Sequence, residues 1–203
     1  AGNSLRPTER LVELPPLSEE RRQEVTGLMG DFDRLYPTVA LKQHEMRAEY
    51  QAHFRPQASS QAWEEMDPMS FAQLFSAELP IKGFVDVGSG LGKLVVMASS
   101  MTRVPCWGVE LSPTRAAAAA EGLKRLAEGR RGDVRLVQGN CLRDLPREAL
   151  ERASHFLLTM RRVGKLPAGT RQVAERFLDL LAATPGTGPR IVWSVGKRLE
   201  PRE

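Results

Sequence analysis

The sequence predicts an α/β fold, a doubly wound parallel sheet, and three observations carry that expectation. Short apolar runs rich in β-branched residues alternate with helical patterns from Phe84 to Val195. The first run leads into a glycine-rich turn, Phe84-Val85-Asp86-Val87-Gly88-Ser89-Gly90-Leu91-Gly92-Lys93, and an apolar segment at helical spacing follows directly. Polar residues able to hold a ligand, Asp86, Glu110 and Asn140, stand at or just past the ends of the first three runs. Parallel strands need crossover helices, crossovers are right-handed, and ligands of open parallel sheets bind at the carboxyl ends of the strands.

Composition narrows the class without naming a chemistry. With 203 residues, 41% of them hydrophobic and 27% charged, the chain has ordinary globular content. That length suits one main domain plus an extension, divided here into an N-terminal arm and helices (1–62) and a ligand-binding domain (63–203). A net charge of +4 permits an acidic partner, nucleic acid or a nucleosome, without demanding one. Cys106 and Cys141 each fall in or beside an expected strand and lack zinc-like spacing. They read as reduced thiols of an intracellular protein, and no metal site is expected. No apolar run approaches the roughly 20 residues of a membrane span, so no membrane contact is expected.

Taken in order, Ala1 to Leu17 is an extended arm with paired prolines. Ser18 caps a first helix carrying Glu19 and Glu20 in its first turn, where the dipole favours acids, and Val25, Leu28, Met29, Phe32 and Leu35 share one face. Pro37 ends it, Thr38 caps a second helix from Val39 to His53, and His44 and His53 read as surface or capping residues. Arg55 to Ala62 is a loop. Asp67 and Pro68 then supply an N-cap and first helical residue for a helix with Phe71, Leu74 and Phe75 inward, ended by Pro80. Strands are expected at Phe84–Val87, Cys106–Glu110, Val134–Gln138, His155–Thr159 and Arg190–Val195. Between them fall helices at Lys93–Met101, at the alanine-rich segment from Ser112-Pro113 to Gly129, at Leu145–Ala153, and after Thr170 with Val173, Phe177, Leu180 and Leu181 inward.

The glycine turn strips side chains from a strand-to-helix corner so that a ligand can approach the backbone, and the helix start offers a positive dipole end. A dinucleotide fingerprint G-x-G-x-x-G would need glycine at position 93, which is Lys93, so a nicotinamide enzyme is disfavoured. Glu110 lies 18 residues beyond Gly92. An acid that binds ribose hydroxyls sits about 20 residues past such glycines, where the next strand ends beside the first.

The pattern D-x-G-x-G-x-G resembles motif I of the S-adenosylmethionine (SAM) dependent class I methyltransferases, whose sheet is Rossmann-like. Five stretches resemble more closely the disruptor-of-telomeric-silencing histone-lysine methyltransferases, which lack a SET domain. These are Trp63-Glu64-Glu65-Met66-Asp67-Pro68-Met69-Ser70-Phe71, Phe84 to Lys93, Gly108-Val109-Glu110, Gly139-Asn140-Cys141 and Arg190-Ile191-Val192-Trp193-Ser194. Glu64 replaces a glycine of the family's lid segment, and Asn140 replaces its aspartate. The resemblance implies SAM as cofactor and 63–203 as the SAM-binding domain. Asp86 and the backbone of Gly88, Ser89, Gly90 and Gly92, with Lys93 opening the helix, would hold the methionine end. Glu110 would accept both ribose hydroxyls, Asn140 the adenine amino group through its amide oxygen, with Cys141 beside it. Glu65, with Met66, would come from the lid loop toward the methionine end, and Trp63 would wall the pocket. The resemblance also implies a nuclear protein acting on a protein substrate such as the nucleosome; the mitochondrion is the alternative compartment, independent of the resemblance. Glu65 and Thr159 are the candidate catalytic residues.

The family's fourth strand ends in Asn-Asn-Phe or a relative, whereas this chain reads Leu158-Thr159-Met160-Arg161-Arg162. Two arginines there bring positive charge near a cationic lysine, so the substrate channel is divergent. The expected function is therefore a SAM-dependent protein-lysine methyltransferase. The alternative is a catalytically degenerate methyltransferase-fold subunit acting as a scaffold in a protein or ribonucleoprotein assembly. Small-molecule or RNA methylation stands as a third reading. The family's sheet also continues past strand five into a helix and hairpin, for which Gly196 to Glu203 is too short. The sequence is then a piece of a longer product, or the edge of strand five is covered by the N-terminal helices, a second copy or another protein's strand.

Overall fold

The computed structural model describes residues 14–35, 66–77, 80–126, 132–159, 168–186 and 188–195. The helix expected at Val39–His53, with its histidines, the loop before Trp63, and Met160 to Arg162 lie outside the described residues. The elements are α1 (Glu19–Leu35), α2 (Pro68–Ala77), β1 (Phe84–Val87), α3 (Lys93–Thr102), β2 (Cys106–Glu110), α4 (Pro113–Arg125), β3 (Val134–Gln138), α5 (Arg147–Arg152), β4 (His155–Thr159), α6 (Ala168–Ala183) and β5 (Ile191–Val195). All strand pairs are parallel, in the order β3-β2-β1-β4-β5. The chain thus winds outward from β1 to β3, then crosses back over β1 to reach β4. That reversal opens the crevice in which doubly wound sheets bind their ligands.

Strand alternation sorts the core into two layers. Phe84, Cys106, Leu157 and Trp193 face a cluster filled by Val25, Leu28 and Phe32 of α1, Phe71 and Phe75 of α2 and the apolar side of α3. Val85, Trp107, Val109, Phe156 and Leu158 face the opposite cluster, closed by Ala149 of α5 and Ala174, Phe177 and Leu181 of α6. Burial on both faces explains why the inner strand β2 reads as a continuous apolar run up to Glu110, whereas the edge strand β3 alternates, with Arg135 exposed. Helix α3 is buried from Leu94 to Ser100 because it lies between the sheet and the α1–α2 layer.

The caps form as the residue types dictate. The Arg21 N–H donates to Ser18 Oγ at 3.2 Å, the Ser70 N–H to Asp67 Oδ2 at 2.8 Å, and the Arg115 N–H to Ser112 Oγ at 3.2 Å. Other boundaries differ from expectation for identifiable reasons. Helix α4 ends at Arg125, well before Gly129, because Leu126 turns extended and buries its side chain, 4% exposed, in the core. Pro146 is extended at ψ 137, which delays α5 to Arg147. Helix α6 starts at Ala168, so Thr170 lies inside it rather than capping it. Ala174, Phe177 and Leu181 set its inward face, and Val173, about 100° away from Ala174 on the helical wheel, is 40% exposed rather than inward. Strand β5 begins at Ile191 because the Arg190 guanidinium turns back. It donates to the carbonyls of Leu181, Thr184 and Leu150, tying the end of α6 to α5.

Strand β5 stands at one edge of the sheet and, among the described residues, pairs only with β4. Helix α1 packs on α2, α3 and α4, covering a face of the sheet rather than that edge. Strand β3, at the other edge, carries Arg135 in ion pairs with Asp133 and Glu148. Charge of this kind blunts an edge, and β5 carries none. Among the described residues no helix is long and apolar enough to cross a membrane.

Phe75 meets Phe71, Phe84 and Trp193 at ring-centroid distances of 5.1, 5.3 and 5.7 Å. Phe75→Ala should therefore lower unfolding free energy by about 3–5 kcal/mol, measured by denaturant titration. His155, 3% exposed at the amino end of β4, packs its ring at a tilt against Trp193, centroids 5.1 Å apart, and shares a 2.8 Å hydrogen bond with Ser154 Oγ. Burial pushes its imidazole down to about 4. The unfolded chain then binds a proton that the native state refuses between pH 6.5 and 4, so stability falls as pH drops through that window. His155→Leu should flatten the stability–pH curve there, as measured by chemical unfolding at stepped pH.

Candidate functional site

The site is built where β1, β2 and β3 end. Three glycines take positive φ in alternation, Gly88 at 82°, Gly90 at 55° and Gly92 at 74°, which L side chains rarely adopt. The alternation winds the chain tightly over the end of β2. The Gly88 and Ser89 N–H groups donate to the Val109 carbonyl at 2.9 and 3.1 Å, and the Gly92 N–H donates to Ser89 O at 2.8 Å. The Gly90 N–H donates to Glu110 Oε2 at 2.9 Å, while Glu110 Oε1 accepts the Ser112 N–H at 2.8 Å. One carboxylate, 7% exposed, therefore fastens the glycine turn to the start of α4.

Four amides of the turn are spent inside the protein, so the turn does not present the fan of N–H donors that cradles a phosphate. What it offers instead is room. A Cβ built at Gly88 meets nothing within 4 Å. Asp86, 2% exposed, lies on the same face of the sheet as Glu110, so two buried carboxylates stand near one cleft. That charge suits a ligand with cationic groups and hydroxyl donors better than a polyanion.

Two supports escaped the sequence reading. Gly108, inside β2, would place a Cβ 2.8 Å from Ser89 Oγ and 2.9 Å from Leu136 Cδ2, so only glycine lets the turn ride over β2. A glycine within an apolar strand signals such an approach. Asp144 closes the loop after β3: its Oδ2 accepts the Asn140 N–H at 2.7 Å, and its own N–H donates to Asn140 O at 2.8 Å. No local pattern would have marked it.

Asn140 stands just past β3, where the Gly139 N–H donates to Glu110 O at 2.9 Å, so it neighbours Glu110 as expected. Its Oδ1, expected to face adenine, accepts the Leu142 N–H at 2.9 Å. Cys141 is half-buried, and burial raises its thiol above the usual range, as it does for Cys106, so neither is an activated nucleophile. Lys93 opens α3. Met66 packs against the α1–α2 core cluster, a position that gives it a packing role. Trp63 and Glu65 lie outside the described residues. Thr159 ends β4 in register with Val195. Among the described residues no cluster of histidine, cysteine or carboxylate side chains could hold a metal ion.

The parallel order and the glycine turn define a Rossmann-like fold. Residues 41–131 match the family described as "Histone methylation protein DOT1", and the chain resembles it over that span. No curated protein sequence matches the chain. Similar solved structures include YjhP from E. coli (15% identity, 71% of this chain and 53% of that one, TM-score 0.47). An RNA methyltransferase from Salinibacter ruber, solved with S-adenosyl-L-homocysteine, shares 18% identity over 65% of this chain and 76% of that one, TM-score 0.47. A SAM-dependent methyltransferase from Geobacter sulfurreducens, also with S-adenosyl-L-homocysteine, shares 16% over 74% and 54%, TM-score 0.49. The chain spans little more than half the length of the first of these.

Glu110→Ala should destabilise the protein even without ligand, by about 1–3 kcal/mol for each N–H it strands. Denaturant unfolding of the ligand-free variant checks this, and unchanged stability would show that the Gly90 and Ser112 contacts hold nothing.

Proposed function

We propose that the chain is a SAM-dependent methyltransferase acting on a protein lysine, the nucleosome being the favoured substrate. The observation that carries the cofactor half is the buried Glu110 carboxylate beside the open glycine turn, and the DOT1 resemblance supports the acceptor. SAM fits the residues present. The open space at Gly88 accommodates the methionine end, and Asp86 supplies negative charge for its amino group and sulfonium. Each Glu110 oxygen keeps a lone pair beyond its backbone N–H, enough for the two ribose hydroxyls.

Bound SAM supplies an electrophilic methyl group on a sulfonium sulfur. The chain's part is to place that methyl in line with the acceptor amine, since positioning alone removes much of the barrier of a two-reactant step. A lysine must arrive neutral, which a water-poor approach favours by penalising its charged form. Thr159, at the carboxyl end of β4, and Glu65 are proposed to line that approach. An acceptor in chromatin implies a nuclear protein. The second reading is a catalytically degenerate methyltransferase-fold scaffold of a protein or ribonucleoprotein assembly, favoured by Arg161 and Arg162 shortly after Thr159 in the sequence.

Calorimetric titration should show SAM binding to the parent chain, with Glu110→Ala weaker by about tenfold or more, the equivalent of one charge-assisted contact. Gly90→Val should likewise lose affinity. Labelled methyl transfer should then appear on nucleosomal protein. Transfer to RNA instead would refute the acceptor, SAM binding with no transfer would support the scaffold, and no binding would refute the methyltransferase and leave a scaffold that holds no cofactor.

A further inference from the structure

We propose that Leu136 is a positioning residue of the ligand cleft: its isobutyl group reaches across β2 and props the glycine turn at Gly92. Asp86 of β1, Gly108 of β2 and Leu136 of β3 form one register row across the sheet, so they project to the same face. Gly108 has no side chain, which leaves a hollow in the middle of that row. Ser89 closes the hollow from the turn and Leu136 closes it from β3. A Cβ built on Gly108 would lie 2.8 Å from Ser89 Oγ and 2.9 Å from Leu136 Cδ2. The same isobutyl group continues to Gly92. A Cβ built there would lie 3.1 and 3.3 Å from the two Leu136 methyls, which are nearer than Ala119 of α4 at 3.7 Å.

The turn is held unequally along its length. Its first half is drawn onto β2 by hydrogen bonds, from Gly88 and Ser89 to the Val109 carbonyl and from Gly90 to Glu110 Oε2. At the far corner the Gly92 N–H donates to Ser89 O inside the turn, and Gly92 O accepts the Val96 N–H of α3, so neither bond fastens that corner to the sheet. What the corner rests on is Leu136. Hydrogen bonds pull the turn toward β2, and close contact with the Leu136 methyls sets how far it descends. That height decides where Gly90 meets Glu110, and with it the shape of the open space beside Gly88. Leucine has the reach because it branches at Cγ. Valine ends at its γ carbons and would stop short of Gly92.

For the turn itself the inference stands on these contacts, and for ligand affinity it rests on the SAM reading above. The test uses the full chain carrying Leu136→Ala, with Leu181→Ala as the control. The control removes the same atoms from the opposite apolar layer, where Leu181 is 4% exposed. Two quantities are read: amide exchange at Gly90 relative to Leu157 of β4, and affinity for S-adenosylhomocysteine by calorimetry. The proposal expects Leu136→Ala to speed Gly90 exchange relative to Leu157 and to weaken binding, each by about tenfold, the worth of one hydrogen bond to a charged group. Leu181→Ala should leave both within about twofold of the parent, as distant sites act independently. Leu136→Met should restore both, since that exchange nearly conserves volume and reach. The proposal is overturned if either quantity in Leu136→Ala matches the parent, or if Leu181→Ala moves both as far. A parent chain that binds no S-adenosylhomocysteine refutes the SAM reading, and Gly90 exchange alone then decides this inference. Should Leu136→Ala not fold, Leu136→Val gives the same two readings and is judged by the same outcomes.

Discussion

The geometry of the cleft depends on one carboxylate. Glu110 is the last residue of β2, and its two oxygens accept backbone N–H groups from opposite directions, Gly90 in the turn after β1 and Ser112 at the cap of α4. Hydrogen bonds to an ionised acceptor are about twice as strong as neutral ones, and burial shields these from competing water. The turn is glycine-rich and would otherwise be the least constrained stretch of the chain. Held by Glu110 and by the Val109 carbonyl, it becomes a rigid rim. The Glu110 carboxylate is thus a structural fastener of the turn.

The second constraint is steric. The turn can lie on β2 only because Gly108 has no side chain under Ser89, and α3 can start where it does only because Gly92 reaches φ 74. Spending the turn's amides internally has a chemical consequence, since it removes the donors that a phosphate requires and leaves space and negative charge instead. The cleft is defined by what it lacks as much as by what it offers. The loop after β3 follows the same logic, with Asp144 holding the Asn140 backbone N–H and the Leu142 N–H holding Asn140 Oδ1.

Beneath the site, the two apolar layers are separate. Helices α1 to α4 cover one face and α5 and α6 the other, and the sheet between them is buried on both sides. The aromatic group of Phe71, Phe75, Phe84 and Trp193 joins α2 to β1 and β5, while Arg190 locks α6 to α5 beneath the second face. These contacts set the strand ends in register, and the register brings Asp86, Glu110 and Asn140 to one edge of the crevice.

By itself, the sequence determined the strands, their parallel arrangement, the glycine turn and the acid that closes β2. These are local or periodic facts: β-branched runs, glycines at alternate positions, and Ser18, Asp67 and Ser112 as caps act within a few residues of where they stand. Tertiary structure decided the rest. Leu126 left its helix and Val173 faced outward because the core, and not propensity, set the phase and the ends of those helices. Asn140 follows the end of β3, yet its Oδ1 is taken by the Leu142 N–H in a loop whose hydrogen bonds no residue pattern announces. The use of the turn's amides likewise depended on where the Val109 carbonyl and the Glu110 carboxylate fell, across a gap of some 20 residues that only the packed sheet closes.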